Sequence, residues 1–207
     1  MYNFGEGVTQ DYVEAVKWYR LSAAQKNANA QFALGAMYAT EQGVEQDYAA
    51  TIKWYRLAAA QGHVNAQNTL GEMYGQGKWG PQDYAESVKW YRLAAAQGYA
   101  RAQFNLGGMY DEGKGVAQDY AEAVKWYRLA AAQKNEWAQL FLSIKYASGN
   151  GVAQDDVRAH MWANLVGAAG NGPAFRDCLE KRMTPQQIAQ AQKMARDCQT
   201  SNFKGCY

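Results

Sequence analysis

The chain has 207 residues, 48% of them apolar, enough for one or two ordinary domains with an ordered core. Lys plus Arg number 21 and Asp plus Glu 19, so the net charge of +2 lacks the basic excess of a dedicated nucleic-acid surface. No run of about 18 apolar residues suggests a membrane span, and the opening MYNFGEGVTQ has neither the basic start nor the apolar run of a signal peptide.

From the N-terminus onward the chain repeats itself. DYVEAVKWYRLSAAQ at 11–25 returns as DYAATIKWYRLAAAQ at 47–61, DYAESVKWYRLAAAQ at 83–97 and DYAEAVKWYRLAAAQ at 119–133. Gln10, Gln46, Gln82, Gln118 and Gln154 stand 36 residues apart, as do Trp18, Trp54, Trp90, Trp126 and Trp162. Leu34-Gly35, Leu70-Gly71 and Leu106-Gly107 keep the same step, and so do Tyr2, Tyr38, Tyr74, Tyr110 and Tyr146. A fixed period of this length marks a repeat architecture. Met1-Tyr2 aligns with Met37-Tyr38 and Met73-Tyr74, so the chain is expected to open inside a first helix and to be a fragment lacking upstream residues.

Each unit reads as two helices, the first over 28–38 and the second over 47–61. Asp47, Asp83 and Asp119 are expected N-caps, with Glu86 and Glu122 completing a pattern like a capping box. Gly62 and Gly98 follow the second helix, and Gly77, Gly113 and Gly149 the first, where a left-handed terminator is least strained. Tyr120, Ala123, Val124, Tyr127 and Ala131 form one apolar face, with Trp126 and Leu129 as a second. A helix apolar on two sides needs neighbours on two sides, which a row of hairpins supplies. The repeated Tyr and Trp are therefore expected in the core, and Gly35, Gly71 and Gly107 are expected to allow close helix approach.

Leu-Gly-x-Met-Tyr, then Gly-Val-x-Gln-Asp-Tyr, then Ala-Val-Lys-Trp-Tyr-x-Leu-Ala-Ala resembles the Sel-1-like repeat family, related to tetratricopeptide repeats, over residues 1 to about 170. The resemblance implies an all-α fold, a right-handed α/α solenoid of 36-residue helix-turn-helix repeats. It also implies a scaffold for macromolecular assembly, without activity of its own in most members. The expected organisation is a repeat solenoid at 1–171, with a partial first repeat and then about four more, and C-terminal capping helices with a tail at 172–207.

The fifth unit changes character. Asp156 replaces the tyrosine and Ala163 the second aromatic, which reads as trimmed stacking. Thr184, Pro185 and Gln187 signal a helix start, and Ile188, Ala191, Ala195 and Cys198 form an apolar stripe. This segment is similar to the closing segment of many bacterial members of the family. Cys178, Cys198 and Cys206 allow three single pairings, and sequence alone does not choose among them. Cys198 and Cys206 are the disulfide candidate, since the polar stretch between them can fold back; Cys178 is expected to be half-buried beside Phe175 and Leu179. The terminal cysteine pair resembles that of exported bacterial members. This implies a periplasmic or secreted location, with the cytoplasm as the alternative.

Reactive constellations are weak. Gly108 to Lys114 matches the start of a phosphate-binding loop but continues with Gly115, not a hydroxyl, and lies at a helix end. Ser201-x-x-Lys204 lacks the companion motifs of penicillin-interacting enzymes. His63, at a helix-end turn, and His160, at a core valine position, have no second ligand at metal spacing. The expectation is no catalytic residue, no cofactor and no metal. Lys17, Lys53, Lys89 and Lys125 form one row. Arg20, Arg56, Arg92 and Arg128 form another with Glu14, Glu86 and Glu122 a turn away, giving ladders of alternating sign.

Positions needed for stacking recur between units, while positions free to serve a partner vary. On the first helix the variable positions fall at i, i+4, i+7, on one face. They are Asn29, Ala33, Ala36; Asn65, Thr69, Glu72; Arg101, Asn105, Gly108; and Trp137, Phe141, Ile144. In related solenoids the first helix lines the concave surface, so this stripe is the expected recognition groove. Trp137, Phe141 and Ile144 either anchor a partner or lie beneath the closing helices. Trp79, at a turn-glycine position, is an extra candidate contact that either packs on a neighbouring turn or stands exposed. The reading is a monomeric, non-catalytic scaffold or adaptor of the bacterial envelope that binds a protein or peptide, not nucleic acid. Neutralising a toxin or assembling a signalling complex are its specific forms. A penicillin-interacting hydrolase and a structural self-assembling array are the alternatives.

Overall fold

The repeated aspartates start the repeated helices. Asp11, Asp47, Asp83 and Asp119 hold extended backbone, and their carboxylates accept from the amide three residues on at 2.9–3.0 Å. In the computed structural model, which describes residues 11–166 and 172–206, they open α1 (Tyr12–Ala24), α3 (Tyr48–Ala60), α5 (Tyr84–Ala96) and α7 (Tyr120–Ala132). The alternating partners are α2 (Ala28–Thr40), α4 (Val64–Gln76), α6 (Ala100–Glu112) and α8 (Glu136–Ser148), followed by α9 (Asp156–Leu165), α10 (Gly172–Glu180) and α11 (Pro185–Thr200). Among the described residues the protein is all-helical. Tyr2, Gln10 and the opening half-unit lie outside those residues.

The stops follow from backbone handedness. Gly77, Gly113 and Gly149 close α4, α6 and α8 at φ of 64°, 68° and 76°. The capping-box expectation at Glu86 and Glu122 is corrected. Their backbone amides are capped by Asp83 and Asp119, but their carboxylates turn outward to Lys89 and Lys125 at 2.8 and 2.7 Å.

The chain forms two compact units, Met1–Gln97 and Gly98–Tyr207. In the first, α1 to α4 pack in chain order on their neighbours, and α5 packs on α4. Ala15, Val16, Leu34 and Met37 form one core cluster, with Trp54 against it; Tyr55, Ala58, Leu70 and Met73 form another, with Trp90 against it. In the second unit one core runs from Ala123 and Tyr127 through Leu142 and Trp162 to Ala191 and Cys198.

Three glycines permit the closest approach. A Cβ on Gly35, Gly71 or Gly107 would stand 2.7, 2.5 or 2.7 Å from the ring of Tyr55, Tyr91 or Tyr127. In the fourth pair the exchange is reciprocal. Ser143 replaces the glycine, Ala163 replaces the tyrosine, and Ser143 Oγ donates to the Ala159 carbonyl at 2.6 Å. The change at Ala163 is thus a swap of bulk across one contact, not a trimming of it.

The second apolar face is also corrected. Trp54 and Trp90 are half-buried and Trp162 is fully buried, but Trp18 is exposed, and Leu21, Leu57, Leu93 and Leu129 are 41–59% exposed. The tryptophan reaches the preceding pair; the leucine three residues on lies beyond that contact.

At the C-terminal end α10 and α11 pack on α9. Thr184 and Gln187 make a full capping box, with Pro185 in the first turn of α11. Cys198 and Cys206 are joined by a disulfide with Cα atoms 5.4 Å apart. Cys178 is exposed rather than half-buried, because Leu179 turns into the core in its place. His160 is buried, with Nε2 2.8 Å from Glu180 and Nδ1 2.8 Å from Asn164, so this core histidine links α9 to α10.

Candidate binding surface

The variable stripe lies on helices whose opposite sides are committed to the core. On α2 and α4, Leu34 and Leu70 are buried, while Asn29 and Asn65 are exposed and Ala33, Ala36, Thr69 and Glu72 half-buried. Asn68 Nδ2 donates to Glu72 at 3.0 Å, which orients that carboxylate. The stripe here is polar and small.

In the second unit, Arg101 on α6 is exposed and Asn105 and Gly108 are half-buried. A Cβ on Gly108 would meet only the Tyr127 hydroxyl, at 3.9 Å, so α6 leaves open space there. On α8 the stripe becomes apolar. Trp137 is 58% and Ile144 38% exposed. Phe141 is half-buried between Phe104, edge-on at 5.4 Å between centroids, and Tyr127, also at 5.4 Å. Phe141 thus braces the surface while Trp137 and Ile144 project from it.

Beneath this stripe is a network that motif reading missed. Lys145 and Asp111 form an ion pair with side chains only 8% and 12% exposed. The Tyr127 hydroxyl donates to the other Asp111 oxygen at 3.4 Å, and the Lys145 ammonium lies 4.7 Å from the Tyr120 ring centroid. Burial, and after it the Asp111 charge, raise the Tyr127 phenol far above its usual range. Comparing units marks each residue as a departure without pairing them: Lys145 stands at the position of Met37, Met73 and Met109, and Asp111 at that of Ala39, Gly75 and Ala147.

The charge ladders are rearranged. Glu14, Glu86 and Glu122 pair with Lys17, Lys89 and Lys125 at 2.7–2.9 Å. Arg20, Arg56 and Arg128 instead donate to the hydroxyls of Tyr38, Tyr74 and Tyr146 on the next helix, at 2.5–2.7 Å. The phenols accept because they end the following helix within reach of the guanidinium, so these arginines bind helix to helix. Trp79 is half-buried and stacks on Tyr48 at 4.9 Å, with the Lys78 ammonium 4.6 Å from its ring centroid. His63 caps α4, its Nδ1 accepting from the Ala66 amide at 3.1 Å while its ring stacks on Phe32; burial lowers its pKa. The stretch from Gly108 to Lys114 is the end of α6 and its following turn, and Ser201 Oγ donates to the backbone carbonyls of Cys198 and Lys204. Among the described residues no three His, Cys, Asp or Glu side chains converge on a metal position. Nor is any helix there long and apolar enough to cross a membrane.

Helix pairs repeated every 36 residues, with a packing side that recurs from unit to unit and a stripe that varies, define a helical-repeat scaffold. The Sel1 repeat model matches residues 1–27, 28–63, 64–99, 100–135 and 138–171, and the chain belongs to this family, with its all-α solenoid fold. It is similar to the crystal structure of c5321, a protective antigen of uropathogenic Escherichia coli strains with the same fold. The two share 36% identity and a TM-score of 0.85, over 96% of this chain and 44% of that one. It is similar also to a Sel1 repeat protein from Oxalobacter formigenes, at 34% identity and TM-score 0.81, over 95% of this chain and 83% of that one. The chain therefore spans under half the length of the first of these relatives. No curated protein matches it in sequence. Sel1 repeats mediate protein–protein binding, and proteins built from them are generally non-catalytic scaffolds.

Proposed function

We propose that the chain is a non-catalytic adaptor of the bacterial envelope that binds a protein or peptide segment through the variable stripe of its second unit, on α6 and α8. The observation that carries this reading is Trp137. It stands 58% exposed where the earlier units place Asn29, Asn65 and Arg101, and no packing requirement of the repeat calls for it. Exposed tryptophan on a helix face that also presents an apolar residue such as Ile144 is the composition of a binding hot spot. The polar residues Arg101 and Asn105 of α6 would orient the partner. The Cys198–Cys206 disulfide supports an oxidising compartment. Neutralising a secreted effector and assembling a signalling complex are two forms of this role, separated by which partner is captured.

The test is affinity capture with the full chain, set beside Trp137→Ala combined with Ile144→Ala. Phe141 is left intact because it braces the fold. Loss of one partner with unchanged helicity by circular dichroism is expected. Undiminished capture by the double variant would remove the stripe from the mechanism.

A further inference from the structure

Near-identical repeats create a problem of self-recognition. The cores of the α2–α3, α4–α5 and α6–α7 pairs use the same leucine, glycine and tyrosine at the same places. Apolar packing of that kind distinguishes poorly between a helix's own neighbour and the equivalent helix of another repeat, in the same chain or a second copy. Repeat proteins are accordingly prone to misassembly and domain swapping. Something must make one docking differ from the others.

We propose that the Asp111–Lys145 pair is a register lock that admits α8 only behind α6 and α7. The two residues depart from the repeat together. In the other complete helix pairs both positions are apolar or lack a side chain, with Met37, Met73 and Met109 buried at the lysine position and Ala39, Gly75 and Ala147 at the aspartate position. Here they meet, and Tyr127 of α7 donates to Asp111 while the Tyr120 ring lies against the ammonium. All three consecutive helices are therefore engaged. Shifting α8 to an equivalent site one repeat earlier would set Lys145 against Gly75 and leave Asp111 facing a neighbour with no cation. A buried ion pair adds little net stability over an apolar pair of similar volume, but one buried charge without its partner is heavily penalised. The pair thus works mainly against wrong dockings, the attested use of buried polar groups in helical assemblies.

Urea unfolding and refolding of the full chain, with light scattering after size exclusion and amide NMR spectra, tests this. Lys145→Met alone should lower the folding constant by about a hundredfold or more, because Asp111 stays buried without its cation. Adding Asp111→Ala, which restores the residues of the other repeats, should recover the folding constant to within about tenfold. That double variant should nevertheless refold to a mixture, with a second set of amide resonances or interlocked dimers. The exchanged pair, Asp111→Lys with Lys145→Asp, should return a single species, and it decides the matter if the apolar double folds poorly. If the apolar double refolds to one monomer with one set of resonances, or the exchanged pair scatters as widely as the apolar double, the lock is refuted.

Discussion

At the scale of single residues, the repeat is held by pairs whose members make sense only together. Gly35 has no Cβ because the Tyr55 ring occupies that space at 2.7 Å, while Ser143 has one because Ala163 has vacated it. Gly35→Ser should therefore destabilise by about 1–3 kcal/mol through overpacking, and Tyr55→Ala by about 3–5 kcal/mol through the void it leaves. The double variant, which copies Ser143 and Ala163, should cost less than the sum by about 1 kcal/mol or more; strict additivity in urea midpoints would deny the coupling. His63 offers a pH test. Burial lowers its pKa below 6.5 in the folded chain, so the unfolded chain binds its proton first. Stability from this residue is fully present above about pH 6.5 and falls as pH drops toward the lowered folded value. His63→Asn keeps a side-chain cap, as Asn27 and Asn135 show at the same position, and should remove that part of the acid-side decline. An unchanged difference between the urea midpoints at about pH 7.5 and 5 would mean that His63 titrates as it does in the unfolded chain.

At the scale of elements, α8 and α11 depart most from the pattern. On α8, five positions change character together: Trp137 and Ile144 on the stripe, Phe141 beneath it, and Ser143 and Lys145 in the core. The outward placement of Trp137 and Ile144 was legible from the sequence because variation at i, i+4 and i+7 marks one helix face. The lock beneath them was not, because its two halves lie 34 residues apart and each alone reads as an ordinary surface charge. Helix starts and stops were legible for a local reason, since Asp83 and Gly77 act within one turn. The capping glutamates were misread because Lys89, three residues on, offers their carboxylate an opposite charge. The exposed leucines were misread because periodicity reports a helix face but not where the neighbouring helix ends. On α11 the disulfide closes a short loop whose Phe203 is buried against the core. Cys198→Ser with Cys206→Ser should lower stability by about 2–3 kcal/mol in the chain-entropy model. Thiol titration of the denatured, unreduced protein should find one reactive group, Cys178; three would mean that the bond does not form.

At the scale of the whole chain, the helices pack mainly on neighbours in sequence, so stability should behave as a row of local terms and not as one indivisible sum. Gly35→Ser strikes the α2–α3 contact, and its effect should fade with distance along the chain. Hydrogen exchange read by mass spectrometry would show this as lost protection in α2 and α3, a smaller loss in α1 and α4, and little change in α9 to α11. The last three are secured by terms that the substitution does not touch: the capping box of Thr184, the Cys198–Cys206 bond and the His160–Glu180 contact. The proposed binding surface on α8 gains something from this. A weakened pair at one end leaves Trp137 and Ile144 held by Phe141, Tyr127 and the Lys145–Asp111 pair. Gly35→Ser should therefore retain a partner that Trp137→Ala loses. Equal loss of protection in every helix would instead mark the chain as a single cooperative unit, and damage at either end would then disarm the surface.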